Sequence, residues 1–231
     1  MRHGSDMSTY PHNNLVRVDA GQDRRRLLKT MSLLAFGTFA SACSGILPEV
    51  GPPPRLFRLS PKSTFPDEIS AVDWQLVIET PLAPAGLDTT RIALHRAAVE
   101  LEYYARANWT DLAPAMIQTL VVESFENSGK IVAVGRESLG LRADFVLKLE
   151  LREFQAEYTA TGLPDAHVRL NAKIVKMPQR TIIGSESFEA KVGANADRIE
   201  DIVAAFDEAL GKSLKDLVIW TLQIGQSARR A

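Results

Sequence analysis

The chain has 231 residues, 45% of them hydrophobic and 24% charged, and carries a formal net charge of −1. This composition is that of an ordinary globular protein, and it excludes a disordered or coiled-coil chain. A single cysteine excludes an internal disulfide, so the fold has to rely on its hydrophobic core.

The amino-terminal segment has the features of an export signal. A basic stretch, Arg24-Arg25-Arg26-Leu27-Leu28-Lys29, precedes an apolar run from Met31 to Ala42 that ends in small residues. Charged, apolar and small-residue regions follow one another in the order that a secretory signal requires. The apolar run is too short for a transmembrane helix, which needs about 20 residues.

The end of this segment resembles a bacterial lipobox, Ala40-Ser41-Ala42-Cys43, with Ala40 where Leu is usual. The resemblance implies cleavage between Ala42 and Cys43 and a covalent diacylglycerol and N-acyl lipid on Cys43. Two acyl signals hold a protein stably at a membrane. The alternative interpretation is a buried structural cysteine.

Two questions about export stay open. Arg24 and Arg25 resemble the twin-arginine consensus, with Leu27 in place of Phe and Asp23 where Ser or Thr is usual, so this route and general secretion are both considered. The second question is whether the chain starts at Met1 or at Met7.

Cleavage of residues 1–42 would leave 21 basic against 25 acidic side chains, a net charge of −4 that argues against nucleic-acid binding.

Residues 43–55 are predicted to form a tether. They contain Pro48 and Pro52-Pro53-Pro54, a composition that favours extended polyproline conformation at about 3 Å per residue. The tether would then reach ~30–40 Å from the membrane. We expect the folded domain to occupy residues 56–231.

The first half of this domain reads as strands followed by a helix. Alternating patterns predict strands at Leu56–Leu59 and Val72–Ile78 and a hairpin formed by Arg91–His95 and Val99–Tyr104. Helical spacing then begins after Thr110, a candidate cap, with Pro114 in the first turn. The helix stops at Asn127-Ser128-Gly129, and a strand at Ile131–Val134 completes a strand-helix-strand unit.

The second half reads as a meander followed by a helix. Phe145, Leu147, Leu149 and Leu151 alternate with polar residues, and a bulge near Glu153 would realign the two faces. Strands Val168–Ile174 and 182–192 follow, and an amphipathic helix capped by Asn195 or Asp197 runs from Ile199 to Trp220. We predict an α/β fold, a single two-layer domain with a mixed, largely antiparallel sheet and two main helices packed on it.

The order of these pieces resembles a known family. The resemblance rests on the lipobox, the proline-rich spacer, Leu56-Phe57-Arg58-Leu59-Ser60, Leu87-Asp88-Thr89-Thr90-Arg91-Ile92-Ala93, Tyr103-Tyr104 before Trp109, and Val203-Ala204-Ala205-Phe206-Asp207-Glu208-Ala209-Leu210. Together they resemble the ABC-type transport auxiliary lipoproteins, the paraquat-inducible protein C-like family.

Members of that family are periplasm-facing lipoproteins of Gram-negative bacteria that accompany MCE-domain lipid transporters with an ABC ATPase and permease. The resemblance implies a non-catalytic docking subunit, with an MCE-domain protein as partner. Ser44 after Cys43 favours the outer membrane by analogy with enterobacterial sorting. Two alternatives are a periplasmic lipid-binding carrier and an activator of an envelope-synthesis enzyme.

Few residues in the sequence suggest a nucleotide-binding, catalytic or metal site. Gly211-Lys212-Ser213 lacks the earlier glycine of a phosphate-binding loop, and no base lies at a spacing that would activate a nucleophile. His95 and His167 have no partner at metal-ligand spacing, so neither a catalytic nor a metal site is predicted.

A partner surface is predicted instead. Lys148, Glu150 and Arg152 lie on the polar side of their strand, and Tyr104 is assigned to the same surface. Tyr103 and Trp109 are assigned to the core.

Overall fold

The computed structural model describes residues 52–97, 99–140, 142–159 and 162–230. Arg24, Arg25, Ala42 and Cys43 lie outside these residues, so cleavage, lipidation and the export route stay predictions. The elements are β1 (Arg55–Phe57), β2 (Val72–Ile78), β3 (Arg91–Ala97), β4 (Glu100–Trp109), α1 (Ala113–Ser128), β5 (Ile131–Arg136), β6 (Phe145–Tyr158), β7 (Pro164–Lys176), β8 (Thr181–Gly193) and α2 (Ile199–Arg230).

The strands form one open mixed sheet built around β6. On one side, β6 pairs with β7 in antiparallel orientation along its whole length, and β7 pairs with β8. On the other side, β2 runs parallel to the beginning of β6 and β3 runs parallel to its end. The predicted α/β fold, with a mixed sheet and two helices packed on it, is therefore confirmed.

Strand β6 contains the predicted bulge. Its register with β7 shifts between Leu151 and Glu153. Before the shift the buried residues include Leu149 and Leu151, and after it they include Phe154 and Ala156. The extra residue restores the apolar face after the bulge, because a β-bulge places two residues opposite one on the partner strand.

Helix α1 begins later than the sequence suggested. Its N-cap position is Leu112, which makes no side-chain cap, and the candidate cap Thr110 instead donates its backbone N–H to the Phe57 carbonyl. That bond continues the pairing of β1 with β4, so strand contacts hold Thr110 outside the helix. The predicted end is confirmed, because Gly129 follows Ser128 with a left-handed φ of 61°.

Two longer-range features go beyond the sequence predictions. Strand β5 of the strand-helix-strand unit pairs in parallel with β2, a partner that the sequence did not indicate. Helix α2 has 32 residues and continues to Arg230, ten residues beyond Trp220. The additional turns pack against the rest of the domain, since Leu222 and Gly225 within them are buried.

Aromatic side chains fill the space between the helices and the sheet. Trp109, Phe154 and Phe206 form a cluster with ring centroids 5.1–5.4 Å apart, which joins β4, β6 and α2. Trp74 meets Phe145 edge-on at 5.0 Å. Such pairs contribute about 0.5–1.5 kcal/mol beyond the burial of their area.

Among the described residues, no helix is both long enough and apolar enough to cross a membrane.

The two glycines inside α2 predict opposite effects of adding a methyl group. A Cβ at Gly225 would lie 2.5 Å from Cζ2 of Trp74, which is fully buried, whereas a Cβ at Gly211 would meet nothing within 4 Å. Gly225→Ala should lower the unfolding free energy by ~1–3 kcal/mol through overpacking. Gly211→Ala should raise it by up to ~1 kcal/mol through helix propensity.

Urea unfolding followed by circular dichroism at the helix band measures both changes. Equal effects of the two substitutions would contradict the close packing of α2 on Trp74.

Candidate docking surface

The sheet face opposite the helices carries charged side chains in register across three strands. Across β6 and β7, Lys148 lies opposite Lys173, Glu153 opposite Arg169 and Gln155 opposite His167. Across β7 and β8, the same register places Arg169 opposite Glu189. We call this surface, made by the outward side chains of β6, β7 and β8, the charged face.

A groove runs along the part of the charged face that is formed by the first half of β6. It consists of two adjoining cavities of about 210 and 470 Å³ that share Leu82 and Glu150 as lining residues. Residues 79–84 form one wall, β6 and β7 form the rest, and Lys148, Glu150 and Arg152 all line it. The structure therefore brings together the three charged residues predicted to meet a partner, in what we call the docking groove.

The wall of the groove is held by main-chain hydrogen bonds. Beyond β2 the chain continues beside β6, where the Leu82 N–H donates to the Leu149 carbonyl at 2.9 Å and the Leu151 N–H donates to the Leu82 carbonyl at 2.7 Å. Although its backbone is fixed, the Leu82 side chain is 71% exposed. Ala83 and Pro84 extend this apolar wall.

Ion pairs line the remainder of the groove. Lys148 pairs with Glu79, Arg152 contacts Glu150 at 2.8 Å and Lys173 contacts Glu150 at 3.5 Å. The hydrogen bond from Arg152, together with the charge of Lys173, lowers the pKa of the Glu150 carboxyl. Four basic residues, including Arg169, stand against two acidic ones, so the groove is locally positive.

Tyr104 lies apart from these three residues. It is half-buried, its hydroxyl donates to the Tyr158 hydroxyl at 3.1 Å, and that hydroxyl donates to Asp197 at 2.6 Å. Burial is the main cause that raises the pKa of Tyr104. Tyr158 continues the alternation of Phe154 and Ala156, so Tyr104 contacts the helix side of the sheet. The structure does not bring Tyr104 to the groove.

The two aromatic residues assigned to the core have different environments. Trp109 is buried as predicted. Tyr103 is only half-buried, with its hydroxyl donating to the Gly86 carbonyl at 3.0 Å and the Arg91 guanidinium 3.7 Å from its ring centroid. The loop containing Gly86 covers Tyr103, a contact that alternation along β4 alone did not indicate.

A second cluster on the charged face surrounds His167. Its Nδ1 lies 2.6 Å from Glu157 Oε1 and its Nε2 lies 2.7 Å from Glu189 Oε1. Lys191 contacts the other oxygen of Glu157 at 2.7 Å. The sequence alone does not indicate this grouping, because the partners lie 10 and 22 residues from His167 and only the strand register brings them together.

The environment of Glu157 stabilises its charged form. Partial burial alone would raise its pKa, but hydrogen bonds from Lys191, His167 and Gln155 outweigh burial and lower the pKa of Glu157 to about 2. The carboxylate therefore stays ionised and links β6 to His167 on β7 and to Lys191 on β8.

Residues 57–218 match the family of the ABC-type transport auxiliary lipoprotein component. This chain belongs to that family. The match covers more than half of the chain, and it confirms the resemblance drawn from the order of motifs.

Individual relatives extend the comparison. The crystal structure of a protein from Xanthomonas campestris is 31% identical, with a TM-score of 0.73, and the alignment covers 77% of this chain and 99% of that one. An uncharacterised protein of Bradyrhizobium diazoefficiens is 30% identical over 149 residues, 64% of this chain but only 39% of that protein's length. A crystal structure of another uncharacterised protein shares the fold at 12% identity, with a TM-score of 0.59 and coverage of 74% and 99%.

The lowered pKa of Glu157 predicts an acid-dependent contribution to stability. A carboxyl whose folded pKa lies below its unfolded value stabilises the fold above the unfolded pKa, near 4.5, and loses that effect as the pH falls toward 2. Glu157→Gln should therefore destabilise the auxiliary lipoprotein at pH 7 but much less at pH 3. Thermal unfolding of both proteins across this range measures the difference, and a constant difference would contradict the assigned ion pairs.

Proposed function

We propose that this auxiliary lipoprotein is a non-catalytic docking subunit of an MCE-type ABC lipid transport system that maintains the cell envelope. The family assignment supports a role beside an ABC transporter. The observation that carries the docking role is the groove, where the exposed Leu82 lies beside a locally positive surface. From Cys43 onward the chain has 21 basic against 25 acidic residues, so the groove is positive although the chain as a whole has a negative net charge.

The ion pairs of the groove can be exchanged for contacts with a partner. The side chains of Lys148, Arg152 and Lys173 are 45%, 48% and 39% exposed. Exposed pairs of this kind contribute only about 0–1 kcal/mol, so breaking them costs little. An MCE-domain partner with acidic residues around an apolar side chain would be complementary to the groove.

The packing of the interior favours docking over lipid carriage. A lipid carrier would need an apolar pocket of roughly 300–1,000 Å³. The space between the helices and the sheet is instead occupied by fully buried Trp74, Phe125, Phe154 and Phe206. The docking groove is lined by charged residues and lies on the opposite face of the sheet.

Attachment to the membrane completes the proposal. Lipids on Cys43 and the proline-rich tether of residues 43–55 would hold the domain on the periplasmic side of the outer membrane, at a distance of up to about 40 Å. That distance would place the groove in the aqueous space, where a transporter subunit can reach it.

Photocrosslinking in cells tests the docking role. Photoreactive residues at Lys148, Glu150 or Arg152 should capture an MCE-domain protein, because these side chains line the groove. Control positions at Glu126 on α1 and Glu208 on α2 are also exposed but lie on the helix side. They should capture it at a background level.

Two results would contradict the proposal. One is equal capture at all five positions, and the other is capture of cell-wall enzymes alone, which would favour the activator of envelope synthesis.

The anchor is tested separately. Cys43→Ala removes the thiol that would take the diacylglycerol, so fatty-acid labelling should be lost and the protein should leave the membrane fraction or stay unprocessed. Cys43→Ser provides a second variant that also lacks the thiol. Labelling that persists in either variant would refute the lipobox interpretation.

A further inference from the structure

We infer that Glu153, Glu157 and His167 form a binding site for a divalent transition-metal ion, for which zinc is the best-fitting candidate. One donor atom from each residue lies within 4.8 Å of the others. The three donors do not line the docking groove, although Arg169, which pairs with Glu153, lies between the two regions. The inference does not depend on the proposed docking role.

The donors are positioned by the sheet rather than by a loop. The bulge after Leu151 brings Glu153 opposite Arg169, and Gln155 lies opposite His167. Glu157 is two residues beyond Gln155, so its side chain is on the same face of the sheet. All three side chains therefore project from adjacent, hydrogen-bonded strands. Donors held by rigid elements keep the geometry that a metal requires.

The imidazole of His167 has the orientation of a metal ligand. It is only 6% exposed, and its Nε2 faces the Glu189 carboxylate at 2.7 Å. In metal sites, the non-ligating ring nitrogen of histidine usually donates to such a carboxylate, which fixes the ring and its tautomer. The Nδ1 atom is then directed at Glu157, 2.6 Å away, and an ion would bind by replacing this hydrogen bond as the two atoms move apart.

A solvent-accessible cavity provides an entry path and a further donor. A cavity of about 420 Å³ is lined by His95, Glu153 and Glu157. His95 lies beside Glu157 in the parallel register of β3 and β6. The two histidines of the domain thus lie on the two strands that flank the end of β6, although 71 residues separate them in the sequence.

The charge of the cluster accommodates a cation. Three carboxylates, Glu153, Glu157 and Glu189, surround the ring, and the cations Arg169 and Lys191 balance two of them. The side chains of Arg169 and Lys191 are 35% and 48% exposed, so they can turn toward solvent when an ion binds.

The donor set selects the class of ion. Imidazole combined with carboxylates suits zinc and its neighbours, whereas magnesium and calcium prefer oxygen ligands alone.

Metal binding to the full-length protein, purified from membranes in detergent and stripped with chelator, tests this inference. Calorimetric titration should show saturable binding of one zinc ion per chain, and magnesium should not compete. His167→Gln and Glu157→Gln should each weaken zinc binding at least about tenfold. Glu186→Gln, at an exposed carboxylate of β8 outside the cluster, should bind like the wild type.

A cobalt titration of the wild-type protein avoids reliance on variants that fail to fold. Visible absorption typical of four- or five-coordinate cobalt would support the site. No saturable zinc binding, unchanged affinity in folded His167→Gln, or cobalt spectra of the hydrated ion would each overturn the inference. The cluster would then be a hydrogen-bonded network centred on His167.

Discussion

The pairing of two short strands with one edge of β6 determines where the docking groove lies. The parallel partners β2 and β3 occupy the beginning and the end of that edge, and each matches only three residues of β6. The chain between β2 and β3 must therefore cross the open middle of the same edge. It does so through the backbone bonds of Leu82 to Leu149 and Leu151, which create the wall of the docking groove.

The bulge in β6 divides the charged face into two parts. Lys148 and Glu150 precede the shift in register, Arg152 is the extra residue within it, and Glu153 and Glu157 follow it. Without the extra residue, the alternation would turn either the first or the second set toward the core, because a shift of one residue exchanges the two faces of a strand. One irregular position thus permits both a continuous apolar core and two charged regions on the other face.

The sequence predicted most features that depend on local patterns. Alternation indicated the strands and the bulge near Glu153, and helical spacing with Gly129 gave the end of α1. Features that depend on distant partners were missed: Thr110 was assigned as a cap, but its N–H bonds to Phe57, and β5 pairs with β2 across the intervening hairpin and helix. The cluster at His167 was missed for the same reason, since its members lie on different strands and come together only in the folded sheet.

Burial gives the two charged regions different properties. In the groove, each ion pair includes an exposed basic side chain, so a carboxylate from another protein can replace its acidic partner at little cost. Around His167 the ring is almost inaccessible, and removing one partner leaves a desolvated polar group that costs about 1–3 kcal/mol. The first region is therefore suited to reversible contact with another protein, whereas the second is suited to holding a small cation in a fixed position.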